Sequence, residues 1–286
     1  MNMRNFAVLI MLTIAVVCCN DDFELQNEEK SQLVVEGWIE RGKFPVVILT
    51  RTFPVSTEYQ SMDDLSDYVV RWAKVTVSDG TDSVVLTGKF DKGYFPPYIY
   101  TTGRLRGVAG RHYTLTVEYR DYHATARTFI PATSADCAFR VEPCTDSDTL
   151  FQIKAKFRDN PTEKNYYQFF TRVGIQTKQF QASYLGTLDD AVIDSVTETP
   201  VYRGRQFSLQ EYTPYFSLGD TVAVKLAHID ETSFRIWDCY TKTKTLSSNL
   251  FLSTSEDIET NIRGGYGYWC GYNAVTDYIV IRDSIK

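Results

Sequence analysis

The sequence is poor in metal ligands. It holds three histidines and six cysteines, with no Cys-x-x-Cys pair and no Cys/His spacing of the kind zinc requires, so no metal or other cofactor is expected. No block of basic residues occurs and the formal net charge is −6, which leaves little to meet a phosphate backbone, so nucleic acid is not expected as a partner. A Gly-x-Ser-x-Gly elbow is missing, which removes the usual anchor of a serine-hydrolase triad. No self-similarity of solenoid period appears. The glycine-rich stretch Gly264-Gly265-Tyr266-Gly267 leads into Tyr268-Trp269-Cys270-Gly271 rather than a helix. That order excludes a phosphate cradle and predicts a tight turn or bulge.

Long apolar runs are equally scarce. The longest, Phe6 to Val17, has about a dozen residues where a bilayer-spanning helix needs about 20. Arg4 precedes it and Cys18-Cys19 close it, the form of a secretory signal that ends on a lipidated cysteine. Residues 1–18 are therefore expected to be a lipoprotein signal peptide. Cys19 is preferred to Cys18 for lipid attachment, because cleavage then follows a small residue rather than the β-branched Val17. N-terminal acyl chains, palmitate among them, would hold the protein on a membrane at about 0.8 kcal/mol per buried methylene. Asn20, Asp21, Asp22 and Glu24 open an acidic, non-periodic tether over residues 19–31. They resemble the export signal that sends lipoproteins of the Bacteroidota to the outside of the outer membrane.

What the rest contains is aromatic residues in alternation, with 19 Tyr and 17 Phe among 286 residues, and alternation favours strands. The segments 32–40, 44–51, 68–78, 83–87, 111–120 and 123–130 read as short strands broken by turns such as Asp79-Gly80. Together they predict an N-terminal immunoglobulin-like antiparallel β-sandwich over residues 32–131. Residues 132–147 read as a polar connector and the domain boundary. The segments 149–158, 166–173, 176–184, 204–211, 221–229 and 277–281 predict a second antiparallel β domain over 132–286, with an acidic loop at 189–199. One helix is expected, from Glu231 to about Leu246. Asp230 caps it, and Phe234, Trp237 and Tyr240 form a stripe that should dock on a sheet. The fold class is mainly β.

Several stretches, taken in order, carry a resemblance: LVVEGWI, KVTVSDG, TTGRLRGVAGRHYTLTV and ATARTFIP in the first half, then Phe157-Arg158-Asp159-Asn160-Pro161 with Asn165-Tyr166-Tyr167, His228-Ile229-Asp230, and Asn261-Ile262-Arg263-Gly264-Gly265. The chain resembles a Bacteroidota lipoprotein family, domain-of-unknown-function family 4249. Members of that family resemble surface lipoproteins that accompany TonB-dependent outer-membrane receptors. The resemblance implies no catalytic residues. It implies a receptor as partner and a non-enzymatic role in nutrient capture or uptake at the cell surface, with a small-molecule, peptide or glycan ligand. A surface adhesin or structural β module is the alternative, and a surface hydrolase the third reading.

The candidate site residues follow from these expectations. Tyr266, Tyr268, Trp269 and Tyr272 either fill the core or, if exposed, form an aromatic patch for a partner. In an oxidising compartment, Cys137 with Cys144 and Cys239 with Cys270 could close two disulfides, although four cysteines allow three pairings and buried thiols serve as well. His112 and His123 read as strand residues, and Asp230 beside His228 is a cap before it is a catalytic partner. Asp63, Asp64 and Asp67, and Asp189, Asp190 and Asp194, read as solvated loops because neither matches a calcium loop.

Overall fold

Strict alternation in the first strand sets up the whole architecture. Leu33, Val35 and Ile39 are fully buried on one face, and Val34, Glu36 and Trp38 stand on the other. The computed structural model describes residues 31–52, 64–134, 136–145, 147–159, 163–189, 196–204, 212–246 and 259–282. Cys18, Cys19, Asn20, Asp21, Asp22, Glu24, Asp63, Asp190 and Asp194 lie outside the described residues, as does nearly all of the expected strand 204–211.

The strands run β1 (Leu33–Glu40), β2 (Val46–Arg51), β3 (Lys74–Ser78), β4 (Ser83–Val85), β5 (Thr87–Phe90), β6 (Tyr98–Thr101), β7 (His112–Tyr119) and β8 (Tyr122–Phe129). The second half adds β9 (Asp136–Pro143), β10 (Leu150–Arg158), β11 (Tyr166–Val173), β12 (Gln181–Asp189), β13 (Val196–Val201), β14 (Phe216–Ser217) and β15 (Thr221–Ile229). Helix α1 (Glu231–Leu246) follows, and β16 (Tyr266–Val280) closes the order. The protein is mainly β, with several antiparallel sheets and a single α-helix among the described residues.

One eight-stranded sheet, β12-β11-β15-β16-β1-β2-β6-β5, runs through both halves of the chain. Strand β16 makes it continuous. Its first half pairs parallel with β1, from Val34↔Tyr266 to Glu40↔Tyr272, and its second half pairs antiparallel with β15, from His228↔Asn273 to Thr221↔Val280. Two four-stranded sheets cover one face. The sheet β4-β3-β7-β8 packs Val75, Val77, Tyr113, Leu115 and Val117 against Leu33, Val35, Leu49 and Trp269. The sheet built on β10, with β9 on one side and β13 and β14 on the other, packs Phe151, Ile153 and Phe157 against Phe169, Val224 and Leu226.

Four expectations need correction. The chain from Gln32 to Lys286 is one compact unit, so the division after Pro131 does not separate two bodies; β16 carries the C-terminal residues back beside β1. The connector 132–147 contains a strand, β9, whose half-buried Cys137, Phe139 and Val141 pack on the second core. Its short, polar-interrupted alternation hid it. The expected acidic loop 189–199 likewise ends in β13, and the strand placed at 176–184 begins only at Gln181.

The helix forms as its sequence requires. Asp230 Oδ1 accepts the Ser233 N–H at 2.7 Å, the N-cap bond, while Oδ2 accepts the Phe129 N–H at 3.1 Å. One carboxylate therefore caps α1 and ties it to the end of β8. Asn261 does a similar task for β16, where no strand among the described residues pairs with Trp269 on its outer side. Its amide accepts the Trp269 N–H at 2.9 Å and donates to the Trp269 carbonyl at 2.7 Å, replacing a strand neighbour. Gly267 follows with φ +101°, and a Cβ there would stand 2.0 Å from the Val35 carbonyl oxygen, so only glycine lets β16 lie against β1.

Candidate functional site

The face of the large sheet opposite the two sandwiches is only partly covered. Helix α1 lies over its β11, β15 and β16 part, where Trp237 meets Phe170 at 5.2 Å and Tyr268 at 4.8 Å between ring centroids. Beside the helix, two loops reach over the sheet from the two halves of the chain. The turn after β5 brings Asp91 and Tyr94, and the segment after β11 brings Lys178 and Phe180. They are joined to each other: the Lys178 N–H donates to the Gly93 carbonyl at 2.7 Å, and the Phe95 N–H donates to Gln179 Oε1 at 2.9 Å.

Between helix, loops and sheet lies a cavity of about 310 Å³, the size of a small-ligand site. Its walls are aromatic. Strand β1 supplies Trp38, β11 supplies Phe170, β16 supplies Tyr268 and Tyr272, and the loops add Tyr94 and Phe180. Every one of the strand residues lies on the same face, because Glu40↔Tyr272 and Lys225↔Phe170 stand opposite each other in register.

Charges sit among these rings. Lys225, in the middle of the buried strand β15, is 5% exposed and pairs with Glu40 Oε2 at 2.7 Å, itself 4% exposed. Glu40 Oε1 accepts a second ammonium, Lys43 at 2.7 Å, from the surface. The Lys225 Nζ also lies 4.1 Å from the centroid of the Phe180 ring, a cation–π contact. At the other wall Asp91 takes Lys178 at 2.9 Å and Lys89 at 3.9 Å. Burial drives the Lys225 ammonium below its ordinary 10.5, and Glu40 restores only part of the loss. Burial pushes the Glu40 carboxyl up, but the Lys225 and Lys43 charges outweigh it and hold the group below its ordinary 4.5.

The sign of the resulting linkage is definite. A carboxyl depressed in the folded state lends stability that is full above pH 4.5 and is lost as pH falls through its folded value. The urea midpoint should therefore drop as pH falls below about 4.5, and Glu40→Gln should make that drop shallower. A midpoint whose acid limb is identical in the variant would show that Glu40 has no part in it.

The residues singled out by sequence divide between two faces. Tyr268 and Tyr272 line the cavity. Trp269 does not: it is 0% exposed, faces the first sandwich and donates its indole N–H to the Tyr113 carbonyl at 3.1 Å. Tyr266 is exposed, away from both. The four aromatics thus become two cavity residues, one core residue and one surface residue: alternation sends Trp269 to the opposite face, and Tyr266 lies at the start of the strand, outside the cavity lining.

Of the two disulfides considered, Cys137–Cys144 does not fit the fold. Cys137 lies in β9 and Cys144 just beyond it. Seven residues of extended chain separate them by roughly 23 Å, far beyond a disulfide's reach. Cys270 is buried under α1, and burial pushes its thiol up to about 12.

His228 is packed on Tyr167, with ring centroids 5.1 Å apart, and its Nδ1 lies 2.8 Å from the Thr133 carbonyl. Tyr167 in turn donates to Asp159 Oδ1 at 2.7 Å, so the Asp159 and Tyr167 positions of the resemblance tie the end of β10 to β11. Among the described residues no group of three or more His, Cys, Asp or Glu could hold a metal ion.

Lys225 and Glu40 are the site residues that sequence reading passed over. A lysine inside Thr221-Val222-Ala223-Val224-Lys225-Leu226-Ala227 was the available signal, because a strand covered on both faces cannot leave an ammonium unpaired. Its partner, 185 residues away, had none.

Fold and site together define a β-protein of two sandwiches sharing one sheet, with an aromatic cavity on that sheet's other face. The profile of the domain of unknown function DUF4249 matches residues 20–277 of the chain. The protein belongs to the DUF4249 family. No curated protein and no solved structure matches it.

Proposed function

We propose that this protein is a surface-exposed outer-membrane lipoprotein of a Bacteroidota cell, anchored through acyl chains on Cys19, that binds a small ligand without turning it over and assists a TonB-dependent receptor in its uptake. The observation that carries the binding role is the aromatic cavity with its lysine-flanked carboxylates. Its polar groups are already committed to one another: Glu40 holds Lys43 and Lys225, and Asp91 holds Lys178. Such an arrangement suits holding a ligand better than proton transfer, which needs a group within reach of the substrate and near its working pKa. The apolar run 6–17, Cys19, the amide Asn20 and the acidic residues Asp21, Asp22 and Glu24 support the address. The receptor as partner rests on the resemblance to receptor-associated surface lipoproteins, and the family match over residues 20–277 spans the stretches that carry that resemblance.

Two measurements test the reading. Tagged, lipidated protein drawn from gently solubilised outer membranes should bring a TonB-dependent receptor with it in near-equal amount. Protein recovered alone would favour an adhesin or structural module. Cys19→Ala should move the protein from the membrane to the soluble fraction, and retention in the outer membrane would rule out anchoring at that residue.

A further inference from the structure

We infer that the cavity takes a ring-shaped organic acid, a carboxylate carried on one or two rings that offer a face for stacking; the inference rests on the reading of this cavity as a binding site. Charge is the first ground. Two clusters line the cavity, and each consists of one carboxylate between two lysines: Glu40 between Lys43 and Lys225, Asp91 between Lys178 and Lys89. Four ammoniums against two carboxylates leave a local surplus of two positive charges, in a chain whose net charge is −6. The sign is inverted where the cavity is. A ligand carboxylate supplies the counter-charge that both clusters lack without displacing Glu40 or Asp91.

Shape is the second ground. Trp38 and Tyr94 stand 6.2 Å apart between ring centroids, and Trp237 and Tyr268 stand 4.8 Å apart, so the walls present ring faces and edges on which a ring-bearing body stacks. Aromatic cavities also attract cations. Here the face of Phe180 already holds Lys225, and the lysines at the rim repel a second cation. A volume of about 310 Å³ lies at the small end of ligand sites and limits the body to one or two rings. An aromatic acid and a sugar acid share this chemistry, since both an arene and a pyranose ring stack on aromatic side chains.

The test uses matched pairs on the full mature protein at low salt: 2-naphthoate against 2-naphthylmethanol, and glucuronate against glucose. Trp38 and Trp237 line the cavity, so their fluorescence reports occupancy, and titration calorimetry gives the affinity. At least one carboxylate should bind saturably and about tenfold or more tightly than its neutral twin, as a charged hydrogen bond provides. The pair that does so identifies the source. Lys89→Ala and Lys178→Ala, both at half-exposed side chains, leave the fold intact. Each should weaken the carboxylate about two- to fivefold and leave the neutral twin unchanged. A neutral twin bound as tightly as its acid, or lysine variants without effect, would overturn the acid assignment while the cavity remained a binding site. Silence of all four probes would overturn the ring-acid inference, and the receptor pull-down decides the transport role independently of either result.

Discussion

Replacing Glu40 by alanine should lower the unfolding free energy by about 3–5 kcal/mol, because it leaves the Lys225 ammonium buried with no carboxylate beside it. Lys225 is 5% exposed, and its partner Glu40 is held 2.7 Å away from the far side of the β16 strand. Phe180 and water cannot replace a full charge there. Lys225→Met should cost less, since Glu40 keeps Lys43 at 2.7 Å and Lys43 is solvated. The double substitution Glu40→Leu with Lys225→Met removes both charges, and it should recover most of the loss or exceed the starting stability. Urea denaturation at pH 7 of the wild type, both single variants and the double variant measures all of this in one cycle. A Glu40→Ala cost under about 1 kcal/mol, the range of exposed pairs, would mean that solvent reaches the pair. The pair is then of interest beyond stability. Its double removal should keep the fold and, because one charge of each sign is lost, leave the cavity's surplus of two positive charges unchanged, which separates the pair's part in stability from ligand binding.

Trp269→Ala should be as damaging, at about 3–5 kcal/mol, whereas Tyr266→Ala three residues earlier should change stability by about 0.5 kcal/mol or less. Trp269 is fully enclosed, bonded through its indole N–H to the Tyr113 carbonyl, and seated where Gly37 gives it room. A Cβ on residue 37 would meet the Trp269 ring at 2.8 Å, so the glycine in Val34-Val35-Glu36-Gly37-Trp38 belongs to this contact. The ring packs between the large sheet and the β4-β3-β7-β8 sheet, on the strand that joins the two sandwiches. Its loss should loosen the β1–β16 pairing first. Hydrogen exchange of the Val35 to Ile39 amides should accelerate in Trp269→Ala and remain at the wild-type rate in Tyr266→Ala. Equal costs for the two substitutions would contradict the assignment of Trp269 to the core.

Local features of this chain were legible because they depend on neighbours. The alternation in His112 to Tyr119 and Leu150 to Arg158 marks a strand with one buried face, and both strands bury the expected side chains. Asp230 before an aromatic stripe marks a capped helix, and both the cap and the docking of Trp237 are present. The expectation of an address likewise rests on a local feature, the apolar run of Phe6 to Val17 and its closing cysteines. The strand β9 escaped notice because Asp136 to Pro143 buries only half of each inward residue, which leaves the polarity pattern weak.

The β class, the strand and helix faces, and the expectation of family and address are thus written in the local order of residues. Which strands are neighbours is settled only by the packing of the whole chain. The parallel pairing of β1 with β16 joins residues more than 230 positions apart, and no local pattern encodes a partner so distant. That pairing brings Glu40 to Lys225, makes two sandwiches share one sheet, and turns Tyr268 and Tyr272 toward a cavity while Trp269 between them goes to the core. The physical reason is the two-residue period of a strand: the order of residues sets which side chains share a face, but long-range packing alone settles what each face meets.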